Sequence, residues 1–235
     1  MRGRGSSGGL CQGVREAIAS TLRCWAEWNP ARGRGCARQS PPALTYAQTV
    51  TTRHTESSAN QPPGTSIRVA EPRDVPAILG LVHELAIYEK EPHAVEATEA
   101  NFHEALFPEG HPPTAFAHVA VVNGTVVGMA IWFLTFSTWR GSAGVWLEDL
   151  FVSQEHRGTG LGKAMLATLA AVCAERGYGR LEWWVLRWNT PSIGFYDSLG
   201  GQPMDDWLTY RLDGGALETL AGTVSTTHAA GGSRL

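Results

Sequence analysis

The chain has 235 residues and an ordinary mix of apolar and charged side chains, with a net charge of −3. That suits a globular α/β-sized domain with extensions, or two small domains, and the apolar runs are too short to span a membrane. Charge is uneven: residues 1–65 carry +5, residues 66–222 carry −9 and residues 223–235 carry +1. An acidic central segment disfavours nucleic acid and anionic membrane as partners and suits a cationic substrate, although a solvated acidic surface has the same composition.

Residues 1–65 are rich in Gly, Arg, Ser, Pro and Thr and poor in large aliphatics. They read as a disordered extension or an over-long start to the reading frame. Within them, residues 14–28 can form an amphipathic helix with Val14, Ile18, Leu22 and Trp25 on one face. This basic, acid-poor patch faintly resembles a transit peptide, and no apolar core follows Arg2 and Arg4 as a secretory signal requires. Cys11, Cys24, Cys36 and Cys173 make no Cys-x-x-Cys pair, and the eight His residues are scattered, so no metal is expected.

Order is expected over residues 66–222, followed by a polar tail, 223–235. Residues 67–70 predict a short strand. A helix follows, opened by Pro76, with Ile78, Leu79, Leu81, Val82, Leu85 and Ala86 as its apolar face and Pro92 beyond its end. A second helix spans 98–106 with Thr98 as its N-cap. Strands at 115–122 and 125–136 flank Asn123-Gly124, the strongest short-range hairpin signal. A third strand includes residues 145–152, where Glu148 and Asp149 interrupt an apolar run. A long helix begins near Lys163 and is stopped by Gly177 and Gly179. A strand at 181–186, a helix from Asn189 to Leu199 and a strand at 207–212 complete the domain.

The segment between the third strand and the long helix carries the chemistry. Arg157-Gly158-Thr159-Gly160-Leu161-Gly162 runs into a strong helix former. Alternating glycines let backbone approach a ligand, and the free N–H groups of the first helical turn receive an anion such as a pyrophosphate. The same glycines also make a plain tight turn. A Walker loop needs Ser or Thr after Gly162-Lys163, but that residue is Ala164; a dinucleotide fingerprint needs Gly at 163, which is Lys163.

Arg-x-x-Gly-x-Gly resembles the coenzyme A loop of the GNAT acetyltransferases, and the element order over 66–212 resembles their α/β fold, a mixed, mostly antiparallel sheet flanked by helices. Three stretches are similar to the spermidine/spermine (diamine) and thialysine N-acetyltransferase branch: residues 84–89, residues 147–152 with the glycine loop, and residues 188–196. The resemblance implies acetyl-CoA as co-substrate, Glu148 as general base and Tyr196 as general acid. It implies that Leu150, Phe151, Val152, Arg157, Gly158, Thr159, Gly160, Leu161, Gly162, Lys163, Asn189 and Ser192 hold the coenzyme. Tyr88, Glu89, Glu148, Glu182, Trp183 and Trp184 match amine-contacting positions. A cytoplasmic homodimer is expected. Two departures stand out. Asp197-Ser198-Leu199 replaces a basic run that often follows the catalytic Tyr, and Arg187 stands where animal members carry an acid.

The residues themselves support this chemistry. A primary alkylamine has a pKa of about 10.4, so roughly one molecule in a few thousand is neutral at pH 7, a deficit of about 4–5 kcal/mol against attack. A carboxylate must take that proton, and a Tyr hydroxyl can supply one to the leaving thiolate. With regular strand pairing, Glu148 and Asp149 point to opposite faces. Trp183 and Trp184 also face opposite ways, one to the core and one free to wall a cation site. Tyr88 and Glu89 read equally well as a helix C-terminus. The expected reaction is direct acetyl transfer to a diamine, polyamine or lysine-like amino acid. The alternatives are acetylation of a protein amine and a silent acyl-CoA-binding module.

Overall fold

The computed structural model describes residues 61–224. The amphipathic patch at 14–28, the three N-terminal cysteines and most of the C-terminal tail lie outside that range. Five strands form one sheet in the order β1 (Thr65–Val69), β2 (Phe116–Val122), β3 (Thr125–Ser137), β4 (Ser142–Val152) and β5 (Leu181–Trp183). The first four pair antiparallel with their chain neighbours, and β5 joins β4 in parallel. Helices α1 (Val75–Tyr88) and α2 (Glu99–Leu106) cover one face, and α3 (Leu161–Arg176) and α4 (Thr190–Ser198) lie on the other. This is the mixed, mostly antiparallel α/β arrangement that the sequence predicts.

Local chemistry explains most boundaries. The turn between β2 and β3 holds Asn123 at φ 50° and Gly124 at φ 83°, the left-handed pair of a two-residue hairpin whose twist matches its strands. Thr98 caps α2 in a capping box: its hydroxyl accepts from Asn101 N, and the Asn101 side chain accepts from Thr98 N. Gly177, at φ 67°, ends α3. Between β1 and α1, the Asp74 carboxylate receives two bonds from Arg68, at 2.6 and 2.8 Å, and one from Glu71 N. Burial works against its charge, but these donors outweigh burial and hold its pKa below the usual carboxylate range.

The sheet divides the core in two. Ile78 and Leu81 of α1 and Leu106 of α2 pack on Val119, Met129, Ile131 and Phe151. Leu161, Met165, Leu169 and Val172 of α3 pack on Ala120, Ala130, Trp132, Val145 and Leu147. Alternation along β2 sends Val119 and Val121 to the first cluster and Ala120 and Val122 to the second.

Two predicted strands shift their bounds and one does not form. β1 starts at Thr65, one residue inside the expected extension. The strand predicted at 181–186 ends at Trp183, because β4 no longer runs beside it after Leu147. The strand predicted at 207–212 does not form: Trp207, Leu208, Tyr210 and Leu212 are exposed, and a strand-like pattern needs a neighbouring strand to become a strand. A short helix, α5 (Gly214–Ala221), follows in a stretch where the sequence predicts no element.

One buried polar pair sets a pH limit on this core. Trp132 Nε1 donates to Nδ1 of the buried His118 at 3.1 Å, which requires a neutral ring at that nitrogen. Burial pushes the His118 pKa down to about 4. Its unfolded value is about 6.5, so the stabilisation is complete above pH 6.5 and is lost as pH falls toward 4, to a limit of roughly 3 kcal/mol. His118→Gln keeps a hydrogen-bond acceptor but does not titrate. Chemical denaturation between pH 4 and 7 should therefore show a steeper acid loss in the native protein than in the variant; parallel curves would remove His118 as the cause.

Candidate active site

The site opens where β4 and β5 part. They pair only over Val145–Leu181, Trp146–Glu182 and Leu147–Trp183. Beyond Leu147, β4 continues to Val152 without a strand on that side among the described residues. The register between β3 and β4 slips at the same level: Trp132 faces Leu147, whereas Ile131 faces Asp149, leaving Glu148 as the extra residue of a β-bulge. Regular pairing is therefore broken here, and Glu148 and Asp149 both line one cleft.

That cleft has a volume of about 1200 Å³, more than the ~300–1000 Å³ of a pocket for one small ligand. Its floor is Leu150, Phe151 and Val152 of β4. One end is Arg157, Gly158, Gly160, Leu161, Gly162 and Lys163 at the start of α3. Gly158 and Gly160 sit at φ 76° and 83°, and a Cβ at either would meet nothing within 4 Å. Conformation rather than crowding calls for glycine there. The first N–H groups of the 16-residue α3 have no partner within the helix and face this end. Arg157 is held in place: Nε donates to Val152 O at 3.0 Å, and the guanidinium lies 4.6 Å from the Tyr88 ring and 5.1 Å from the Phe151 ring.

The other end is acidic and aromatic. Tyr88 and Glu89 come from the end of α1, Glu148 and Asp149 from the bulge, Trp184 from the chain after β5 and Tyr196 from α4. Glu148 is exposed and accepts a bond from Trp146 Nε1 at 3.0 Å, while Trp146 meets Trp184 edge to face at 4.8 Å. Burial, helped by the charges of Glu148 and Glu89, pushes the Asp149 pKa up to about 6. Burial raises that of Glu89. Tyr196 packs 5.0 Å from Trp183; burial first, then Glu89 and Tyr88, push its hydroxyl up to about 12, so it stays protonated at neutral pH. Such a group can give a proton but does not leave one behind in bulk water.

Most residues singled out in the sequence meet at this cleft, and four do not. The Thr159 hydroxyl turns back to His156 O at 2.6 Å. The Glu182 carboxylate pairs with Arg180 at 2.6 Å, away from the cleft. Trp183 is the core-facing member of its pair, and Trp184 the cleft-facing one. Arg187 is exposed outside the lining, where Arg211 supplies a cation instead. Asn189 is buried, and its Oδ1 accepts from Ser192 N at 3.3 Å and from the Tyr88 hydroxyl at 2.9 Å. It caps α4 as well as lining the cleft. Asp149 is the cleft residue that sequence reasoning misses, and the break in apolar alternation at 148–149 is the signal that points to it. Among the described residues no group of His, Cys, Asp and Glu is arranged to hold a metal.

The acetyltransferase (GNAT) family model matches residues 80–200, a span from mid-α1 to the end of α4 that includes the whole cleft floor and glycine loop. The chain belongs to the GNAT acetyltransferase family. A thialysine N-epsilon-acetyltransferase of Bos taurus is 34% identical over 66% of this chain and 96% of its own length. An L-ornithine N5-acetyltransferase of Arabidopsis thaliana is 27% identical over 66% of this chain and 86% of its own. Among solved structures, an integron cassette protein from the mobile metagenome of V. cholerae superposes with a TM-score of 0.57 at 26% identity, covering 67% of this chain and 98% of that one. This acetyltransferase therefore has the GNAT fold and is an N-acetyltransferase of a family that uses acetyl-CoA as co-substrate. No helix among the described residues is long and apolar enough to cross a membrane.

The Asn189 junction has a measurable consequence. Asn189→Ala removes the cap of α4 and leaves the Tyr88 hydroxyl without its acceptor, so it should cost about 1–2 kcal/mol of stability. Urea denaturation is the check; an unchanged midpoint would mean that water replaces both bonds.

Proposed function

We propose that this chain transfers the acetyl group of acetyl-CoA directly to a primary amine of a small cationic molecule, a short diamine or a lysine-like amino acid in preference to spermine. The observation that carries this reading is the cleft itself, with an anion-receiving helix start at one end and a carboxylate cluster at the other. The pyrophosphate lies at Gly158 to Lys163, helped by Arg157, and the pantetheine arm runs along the unpaired edge of β4 at Leu150, Phe151 and Val152. Asn189 and Ser192 border the same arm. The amine enters between Tyr88, Glu89, the Glu148–Asp149 pair and Trp184, whose ring face suits an ammonium. The carboxylate pair takes the ammonium proton, Glu148 being the member that family resemblance names. The amine nitrogen attacks the thioester carbon, a β4 backbone N–H polarises the carbonyl, and Tyr196 protonates the departing sulfur.

Preference among amines rests on charge. Two or three carboxylates hold a second ammonium of the same molecule, while Arg211 at the rim repels a third and attracts a carboxylate. We propose a cytoplasmic homodimer as well. Unpaired Cys173 suits a reducing compartment, and exposed Trp207, Leu208, Tyr210 and Leu212 offer apolar surface to a second copy.

The deciding experiment follows thiol release from acetyl-CoA against a panel of monoamines, diamines, lysine-like amino acids, spermine and a lysine peptide. Small diamines or amino acids should turn over best. Release with the peptide alone would make the chain a protein acetyltransferase, and coenzyme binding without any release would make it a binding module. In the active protein, Tyr196→Phe should lower kcat roughly 10²–10⁴-fold with coenzyme affinity nearly intact. Gly160→Val should raise the acetyl-CoA KM, because a β-branched residue resists φ 83°.

A charge reversal tests the amine end separately. Glu89→Lys should reduce kcat/KM for a dication roughly five- to thirty-fold more than for a monoamine of equal length, the share of about 1–2 kcal/mol that a partly exposed charge contact contributes. Equal losses for both amines would place Glu89 outside the amine contacts.

A further inference from the structure

We infer that Asp149, and not Glu148, is the group that takes the proton from the reacting ammonium, with Glu148 holding and steering the amine; this rests on the acetyl transfer proposed above. The β-bulge carries the assignment. Residues directly opposite in a sheet share a face. Leu147, opposite Trp132, packs with the α3 cluster, and Val145 goes with it. Asp149 is opposite Ile131, and two residues on is Phe151; both belong to the α1 cluster. The extra residue at 148 thus switches the strand's faces and turns the Asp149 carboxylate toward the end of α1, beneath Leu85 and Glu89, which line the same cleft.

The two carboxylates then differ in kind. Glu148 is exposed, and one of its oxygens is engaged by the Trp146 indole on the aromatic side of the mouth. Asp149 is recessed, and among the described residues no hydrogen bond or ion pair engages its carboxylate. The charges that act on it are both carboxylates, Glu148 on its own strand and Glu89 from α1. Tyr88 from α1 and Tyr196 from α4 are the other titratable side chains at this end of the cleft; His156, whose Nδ1 bonds to the Ser153 hydroxyl, stands with Arg157 and Lys163 at its coenzyme end, and Arg211 at the rim. Burial and like charge raise the proton affinity of Asp149, with a pKa near 6, which brings a carboxylate base closer to neutrality where general-base catalysis is most efficient.

The protons balance. One N–H bond of the ammonium breaks, and its proton goes to Asp149. The freed lone pair forms the N–C bond at the thioester carbon. When the C–S bond breaks, sulfur takes the Tyr196 proton, and the second proton shed by nitrogen returns to the phenolate. Asp149 then passes its proton to solvent, so one proton is released per turnover along with amide and free thiol.

The test is the pH dependence of kcat/KM of the full chain, with the best amine of the panel and thiol release as readout. The native protein should show an acid limb near pH 6, a value belonging to the coupled carboxylates rather than to one site. Asp149→Asn should lower kcat/KM roughly 10²–10⁴-fold and abolish that limb, with coenzyme affinity by calorimetry unchanged. Glu148→Gln should keep the limb and displace it to lower pH, since one like charge is removed. A limb lost in Glu148→Gln and kept in Asp149→Asn overturns the assignment. If circular dichroism shows that Asp149→Asn does not fold, Glu148→Gln decides alone: a displaced limb supports Asp149, and a vanished one overturns it. A native protein that releases no thiol with any amine overturns the acetyl transfer and the assignment together. An active native protein beside a fully active Asp149→Asn overturns the assignment only.

Discussion

The parting of β4 from β5 after Leu147 is the constraint on which the site depends. A strand in the middle of a sheet has both rows of backbone polar groups satisfied by neighbours. From Glu148 to Val152, β4 has a neighbouring strand on the β3 side only among the described residues. Buried backbone groups without partners are costly, so such an edge is tolerated where something else completes it, whether water, another segment or a ligand with its own amide groups. The pantetheine arm of a coenzyme is a ligand of that kind. The bulge at Glu148 falls at the same level, and the two irregularities together make a gap that opens toward both core clusters.

The acidic end is a second departure from what favours folding alone. Glu89, Glu148 and Asp149 repel one another across a cleft of reduced dielectric, and burial raises the proton affinity of both Glu89 and Asp149. Left empty, this cluster works against stability; a bound ammonium relieves it. The same interaction lowers the carboxylate proton affinities, so amine binding and carboxylate ionisation are linked equilibria. In the mechanism proposed above, the cation is drawn to the same cluster that holds its proton acceptor. The glycine loop at the other end is positively polarised by the start of α3 and by Arg157 and Lys163. The cleft is thus a dipole in its own right, and its two ends suit an anionic group and a cationic group without overlap.

Features written in local chemistry were legible in the sequence. Asn123-Gly124 specifies its hairpin, Thr98 its cap, and Gly158, Gly160 and Gly177 the left-handed turns around α3, because each depends on a few adjacent residues. What depended on pairing was not legible. Glu182 looks like a cleft carboxylate until Arg180, two residues before it, claims it. Residues 207–212 alternate like a strand but find no strand to join among the described residues. Arg187 and Arg211 exchange the place expected of one cation, because the path of the chain after β5 sets which of them reaches the rim. The Glu148–Asp149 pair lies between these cases. Its interruption of the apolar run was visible, but a bulge is a relation between two strands, and the residue opposite Asp149 is known only once β3 is laid beside it.

The two ends of the cleft are also mechanically joined. Val152 O fixes the Arg157 side chain, whose guanidinium stacks on Tyr88. The Tyr88 hydroxyl bonds to Asn189, and Asn189 caps the helix that carries Tyr196. Each link is individually worth no more than a kilocalorie or so, yet together they tie the glycine-loop end of the cleft to the helix that carries Tyr196. A coenzyme phosphate drawn to Arg157 competes with the Tyr88 ring for the same cation, so coenzyme binding bears directly on the first link. On the proposed reading, Tyr196 and the thioester are positioned by one continuous set of contacts rather than by two independent ones, which is what a proton donor needs if it is to meet a leaving sulfur within hydrogen-bond reach.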